Sequence, residues 1–374
     1  MLCKCDICLM DNTASDFKKF NDKGCNFCLD FKFILEKKKN FNFDKLKFNF
    51  DKLIEEISSN GKNKQYDCIV GVSGGLDSSY TLYKVKKAGL RPLAVHMDNG
   101  WNSELAQNNI ANLVKKLDVD IYTHVIEWDE YKRAMEAFFK ANVIDIELLY
   151  DNAMLAVNYK LASRFGVKYI LSGTNTITEG MKLPKNWSWF KNDKTNIKSI
   201  CKKFENLKIK TIPTFGTFDF IYYELIKKIK WIATPDYFDY TKEKALKTLI
   251  DEFDFKPYPY KHYESIFTRF YQGYILPKKF GIDKRKLHLS TLLITNQINL
   301  EYALNTLKKD PYPNNQYLEK DIRYFLKKMK WDQNRLTTYL NQPEVKHDEY
   351  LSEKKLWDVL ASLYKLKNLI FKRV

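Results

Sequence analysis

Nowhere in the 374 residues is there a run of the roughly 18 apolar residues that a membrane-spanning helix needs. Cysteines also stand near the N-terminus where a signal peptide would have its apolar core. A soluble cytoplasmic protein is expected, with no membrane partner. Absent too is the G-x-x-x-x-G-K-[ST] loop, whose lysine reaches β- and γ-phosphates, so an ordinary kinase or motor ATPase is excluded. Arginine is scarce. It supplies 8 of the 63 basic residues, so the net charge of +17 rests on lysine, in a chain also rich in Asn, Phe, Tyr and Ile. Those residues have A/T-rich codons, and the side chain best suited to bidentate phosphate contacts is the one in short supply. Nucleic acid is therefore not an expected partner, although basic charge alone would suggest it.

What the chain does have begins with thiols. Five of the seven cysteines lie in the first 28 residues, and Cys5-x2-Cys8 is separated by 16 residues from Cys25-x2-Cys28. Each C-x-x-C can form a knuckle that aims two sulfurs at one tetrahedral Zn²⁺, and Gly24 eases the second bend. Disulfides are the alternative, disfavoured in a reducing cytoplasm. Four thiolates leave no open position for substrate, which makes the zinc structural; Cys3 is a spare. Residues 1–35 are read as a zinc ribbon. The echo of Phe41-Asn-Phe-Asp-Lys-Leu-Lys47 in Phe48-Asn-Phe-Asp-Lys-Leu53 puts Phe41 and Phe48, and Leu46 and Leu53, on related faces of a connector over 36–64.

Asp67-Cys-Ile-Val-Gly-Val-Ser-Gly-Gly-Leu-Asp-Ser-Ser79 runs an apolar segment into a Ser-Gly-Gly-x-Asp-Ser turn that opens a helix-like stretch. Gly74 and Gly75 lack the Cβ atoms that would hold a ligand off the backbone, so successive N–H groups can face an anion; Ser73, Ser78 and Ser79 add hydroxyls. The plainer reading is a tight strand-to-helix turn with Asp77 or Ser79 as a helix N-terminal acceptor.

From there β-like runs, Cys68 to Val72, Pro92 to Met97, Ile121 to Ile126 and Tyr169 to Ser172, alternate with helical ones. The pattern predicts a parallel sheet wrapped by helices over 65–255, with ligands outside the carboxyl ends of the strands. Asp98, Asn99 and Gly100 follow the second run; Gly173, Thr174, Asn175 and Glu179 follow a later one. Three such loops suit pyrophosphate, adenosine and the reacting centre, with Asp77, Asp98 and Glu179 as candidates to hold Mg²⁺. Asp98-Asn-Gly reads equally as a turn, and Glu179 as a solvated helix residue. Residues 256–374 have helical periodicity, with Leu300 to Leu307 and Leu356 to Leu369 read mostly as core.

The Ser-Gly-Gly-x-Asp-Ser loop resembles that of the PP-loop ATP pyrophosphatases, which cleave ATP between the α- and β-phosphates. Together with the C-x-x-C pairs, Asp98-Asn-Gly-Trp-Asn-Ser-Glu104, Ser172-Gly-Thr-Asn175, Glu179, Lys261-His-Tyr-Glu-Ser-Ile-Phe-Thr-Arg-Phe-Tyr-Gln-Gly273 and Leu276-Pro-Lys-Lys-Phe-Gly-Ile-Asp-Lys-Arg-Lys-Leu-His-Leu-Ser290, it resembles the N-acetyl sugar amidotransferases of bacterial surface-glycan biosynthesis over nearly the whole chain. Those enzymes are associated with O-antigen sugars of lipopolysaccharide and with the pseudaminic or legionaminic acid glycans of flagellin. The resemblance implies conversion of an N-acetyl group on a sugar or nucleotide-sugar into an acetamidino group with ATP, Mg²⁺ and ammonia. It also implies Ser73, Asp77, Ser78, Asp98 and Glu179 as catalytic residues. Trp101, His262, Glu264, Arg269, Lys278, Lys279 and Arg285 are candidates to meet the sugar.

Leu2 occupies the place of a terminal cysteine nucleophile, and Cys68 and Cys201 lack a Gly-x-Cys-x-Gly setting. The resemblance therefore implies ammonia from a separate glutaminase, with a cyclase-like subunit. Two rival readings remain: a tRNA-thiolating ATP pyrophosphatase, which often uses further catalytic cysteines, and a non-catalytic zinc-ribbon RNA-binding protein.

Overall fold

The computed structural model describes residues 3–20, 23–39, 43–259 and 263–371. Two helices, α1 (Asn26–Lys39) and α2 (Phe43–Gly61), precede a sheet region. There β1 (Cys68–Gly71), α3 (Leu76–Lys87), β2 (Pro92–Asp98), α4 (Glu104–Leu117), β3 (Ile121–Val125), α5 (Trp128–Ala141), α6 (Leu148–Arg164) and β4 (Tyr169–Ser172) follow in order. After the short α7 (Thr176–Glu179), α8 (Lys194–Glu205) and α9 (Thr217–Phe220) comes β5 (Lys230–Ala233), then α10 (Lys242–Phe253). Beyond it the elements among the described residues are helical: α11 (Ile266–Phe270), α12 (Leu276–Phe280), α13 (Arg285–Ile294), α14 (Leu300–Lys308), α15 (Asn315–Met329), α16 (Gln333–Asn341) and α17 (Lys354–Phe371).

All strand pairs are parallel, in the order β3-β2-β1-β4-β5. Successive strand residues point to opposite faces. Cys68, Val70 and Val72 accordingly join Leu82, Leu113 and Leu249 in one core, while Ile69, Val95 and Ile170 join Phe138, Ala153 and Val157 in the other. The chain leaves β1 toward one edge and β4 toward the other, so their carboxyl ends flank the switch point at which such sheets bind ligands.

The four expected strands stand where the sequence places them, to within a residue at their ends; the edge strand β5 was not read. Of the two forms the connector's pattern allows, helix or extended linker, its described residues are mostly helix. Helix α1 begins at Asn26, so Cys28 sits inside it and a boundary at residue 35 falls within it. Of the seven-residue echo, Phe41 lies outside the described residues and Phe48 is 64 % exposed. The face that packs is Phe50, Leu53 and Ile57, because that spacing follows the helical turn. The C-terminal leucines also depart from expectation: Leu300, Leu304, Leu356 and Leu363 are exposed. No helix among the described residues is long and apolar enough to cross a membrane.

Candidate active site

At the carboxyl end of β1 the chain turns through Ser73, Gly74 and Gly75 into α3. Gly74 adopts φ +80°, and a Cβ there would stand 2.7 Å from the Ala106 carbonyl of α4. Gly75 is the N-cap of α3 and has no side chain to cap it, which leaves the first N–H groups facing outward. The hydroxyls brace the loop: Ser73 N–H donates to Ser78 Oγ at 3.2 Å, and Gly75 N–H to Ser73 Oγ at 3.2 Å.

The loop after β4 packs directly on this turn. A Cβ on Gly173 would lie 2.5 Å from the Ser78 nitrogen, so only glycine allows the two backbones to meet. A cavity of about 420 Å³ opens between them, lined by Ser73, Gly75, Asp77, Ser78, Gly173, Thr174 and Glu179. Tyr240 OH donates to Asp77 Oδ1; burial, then the Asp77 charge, pushes that phenol up.

The helical C-terminal region supplies a third wall. Ser103 N–H donates to the Glu264 carbonyl at 2.9 Å and Ile266 N–H to the Trp101 carbonyl at 2.8 Å, a backbone pairing that delivers Glu264 into the cavity. Its carboxylate stands 3.4 Å from where a Cβ on Gly75 would be.

Other expected residues have different work. Asp98 Oδ1 accepts from Gly100 N–H at 2.8 Å and from Asn102 Nδ2 at 3.1 Å, and Asn99 Oδ1 accepts from Trp101 N–H. The Asp98-Asn99-Gly100 segment spends its polar groups on its own turn, and strand residues Val95 and Met97 line the cavity instead. Ser79 is buried away from the cavity, and Asn175 caps α7. Trp101 is fully buried against Trp128, Phe267 and Phe325, hence core. Arg269 forks onto Asp321 through two 2.6 Å bonds. Arg285 is held by Asp283 and the Lys309 carbonyl, and Lys279 by the carbonyls of Tyr339 and Gln342. Lys278 is exposed beside Tyr274, and His262 lies outside the described residues.

Lys242 was missed. It lines the cavity, and its Nζ lies 3.5 Å from His288 Nε2, whose Nδ1 donates to the Thr178 carbonyl at 3.1 Å. At the start of an amphipathic helix it reads in sequence as one more surface lysine.

The four paired cysteines converge. Cys5 and Cys28 sulfurs are 3.3 Å apart, Cys25 and Cys28 3.5 Å, and Cys8 and Cys25 3.8 Å. Bonds of about 2.3 Å to a tetrahedral zinc put sulfurs about 3.8 Å apart, whereas a disulfide needs about 2.05 Å. The spacing fits a metal and no cystine. Hydrogen bonds from Cys28 and Cys8 push the Cys25 thiol down to about 2, and Gly24 takes φ +95° before it. Among the described residues this is the one group of three or more such ligands close enough to share an ion.

Two family models match this chain: NAD synthase over residues 49–182, and the C-terminal domain of WbpG-like lipopolysaccharide biosynthesis proteins over residues 264–364. The first spans the phosphate loop and the β4 loop, and the second begins at Glu264. Taken together, an NAD-synthase-type domain and a WbpG-like C-terminal domain in one chain support a WbpG-like PP-loop amidotransferase of glycan biosynthesis. At that level it is an ATP-using, amidotransferase-type enzyme of lipopolysaccharide synthesis, of the C–N ligase type. No curated protein matches it. Among solved structures, it is similar to an NMN synthetase from Francisella tularensis, with 14 % identity, 55 % of this chain and 87 % of that one covered, and a TM-score of 0.30. An NH3-dependent NAD synthetase from Campylobacter jejuni shares 17 % identity over 58 % and 89 % of the chains, with a TM-score of 0.30. A predicted subunit of tRNA methyltransferase from Methanocaldococcus jannaschii shares 16 % over 50 % and 74 %, with a TM-score of 0.28.

Proposed function

We propose that the chain converts the N-acetyl group of a sugar, free or nucleotide-linked, into an acetamidino group in cytoplasmic lipopolysaccharide O-antigen or flagellin-glycan synthesis. The observation that supports this most is Glu264: the WbpG-like segment reaches into the phosphate-loop cavity, so one site can meet both nucleotide and acceptor.

An amide oxygen is a poor leaving group. In the proposed reaction that oxygen attacks the α-phosphorus of ATP, the bond to the β-phosphate bridging oxygen breaks, and pyrophosphate leaves. Ammonia adds to the imidate carbon, the carbon–oxygen bond breaks, and AMP departs with the former amide oxygen; loss of a proton leaves the amidine. Backbone N–H groups of residues 74–79 and the hydroxyls of Ser73 and Ser78 receive the departing pyrophosphate. Lys242 adds the positive charge that no Walker lysine provides. Asp77 and Glu179 are the residues that would hold Mg²⁺, which supplies further charge neutralisation when bound. Glu264, at the junction with the C-terminal helices, orients the sugar amide. The sulfur cluster takes a structural zinc.

The thiols favour borrowed ammonia. Cys68 and Cys201 are fully buried, and burial pushes both thiols up, Cys201 to about 12. Neither is a reactive thiolate, for a glutaminase or for sulfur transfer. A separate glutaminase, with its cyclase-like companion, delivers ammonia. Incubating the chain with ATP, Mg²⁺, ammonium and a panel of N-acetyl sugars should give AMP, pyrophosphate and a product that has exchanged one oxygen for NH by mass. ADP and phosphate as primary products would refute the reading.

A further inference from the structure

The cavity continues past the strand ends to the α6 side of the sheet. Gly71 pairs with Val95 and Ile170 with Trp231, and these positions face the core that contains α6. The compartment is walled by Gly71, Val95, Met97 and Trp231 from the strands and by Met154 and Asn158 from α6. Its surface is apolar except at Asn158, Ser172 and Tyr150.

Asn158 is 2 % exposed. Its Nδ2 donates to the Met154 carbonyl at 2.8 Å. A carbonyl only accepts, so the amide cannot be turned round. Oδ1 is left toward β1 with no partner, 3.7 Å from where a Cβ on Gly71 would stand. A buried acceptor without a donor is costly to a folded protein and calls for a ligand that brings one. Other polar groups of this compartment are spent: Ser172 Oγ is bonded to Thr174 Oγ1 at 2.6 Å and Tyr150 OH to the Met97 carbonyl at 3.5 Å.

We propose that this compartment takes the adenine ring of ATP and that Asn158 Oδ1 accepts from its 6-amino group, so that Asn158 selects a 6-amino over a 6-oxo purine. The inference rests on the ATP-using reading above. The phosphate loop occupies the other end of the same cavity, which places a base here. A flat ring suits the faces of Met154, Val95 and Trp231. A sugar, with a hydroxyl on most carbons, would find one acceptor and lose its remaining partners. A 6-oxo purine would set its oxygen against Oδ1, acceptor against acceptor.

Calorimetric titration with ATP and inosine triphosphate tests this. Wild type is expected to prefer ATP by roughly 10- to 100-fold. In Asn158→Leu, ATP should weaken about 10-fold or more while inosine triphosphate changes less than about twofold. Gly71→Ala is the second variant, because its Cβ meets nothing closer than 3.7 Å in the free protein and leaves the fold intact. It fills the space beside Oδ1 and should weaken both nucleotides. An unchanged ATP preference in Asn158→Leu, or wild-type nucleotide affinity in Gly71→Ala, overturns the inference. So does an Asn158→Leu protein that binds ATP normally but loses N-acetylglucosamine, which would place an acetamido group here. Wild type binding neither nucleotide would instead defeat the ATP-using reading, and this inference with it.

Discussion

At Gly173 there is no room for a methyl group, because the backbone of the phosphate loop occupies the place. Gly173→Ala must push Ser78 and Asp77 away, and a displacement of this kind near reacting groups costs on the order of 100-fold. Pyrophosphate release by this variant should fall by about that factor while its circular dichroism stays that of wild type. Arg269 gives the opposite pattern. Removing it strands the buried Asp321 carboxylate, so Arg269→Ala should lose about 3–5 kcal/mol in denaturant unfolding. The folded fraction should keep its KM for ATP; a raised KM with unchanged stability would return Arg269 to the substrate. Sequence shows residue types and not their partners, which is why Arg269, Arg285 and Trp101 read as ligand contacts. The partner of Arg269 lies 52 residues away, and nothing local announces it. The Ser-Gly-Gly-x-Asp-Ser loop was legible because its chemistry is local: the glycines, hydroxyls and helix start lie within seven residues.

Elements were legible in proportion to the length of their pattern. Strands β1, β2 and β4 are apolar runs bounded by turns, whereas β5 is four residues of Lys-Trp-Ile-Ala at a sheet edge. The C-terminal helices were readable as helices, but their leucines could not be assigned to a core, since periodicity fixes a face and not what covers it. The segment at His347 ties this region to the sheet domain. Its Nε2 accepts from Asp145 N–H at 3.2 Å and its Nδ1 donates to Asn196 Oδ1 at 2.8 Å. Burial holds the ring neutral, down to about 4 from 6.5. Between those values the unfolded chain binds the proton and the folded chain does not, so stability falls as pH drops from about 6.5 toward 4. The loss amounts to roughly 3 kcal/mol at its limit. Thermal melts at pH 7 and pH 5 should show the decline in wild type and a smaller one in His347→Gln; equal declines would show that other groups carry it.

On the scale of the whole molecule, α13 joins the cysteine cluster to the cavity. Ser290 Oγ accepts from Leu9 N–H at 3.0 Å and Lys286 pairs with Asp11 at 2.5 Å, while His288 of the same helix holds Lys242. Zinc peptides gain roughly 10 to 16 kcal/mol from their metal, so changing Cys5, Cys8, Cys25 and Cys28 to Ser should both destabilise the chain and weaken its nucleotide site. Metal analysis should find one zinc in wild type and none in the fourfold variant; zinc retained by that variant would move the site elsewhere. Nitrogen supply is a second property of the whole chain. Alone it should aminate with ammonium and hardly with glutamine, and ¹⁵N from amide-labelled glutamine should enter the amidine only when a glutaminase is added. The central claim is that ATP activates the amide oxygen, and an N-acetyl sugar labelled with ¹⁸O in its acetamido group tests it most directly. The label should appear in the phosphate of AMP, one atom per amidine formed; label retained in the sugar product, or found in inorganic phosphate beside ADP, would contradict the account.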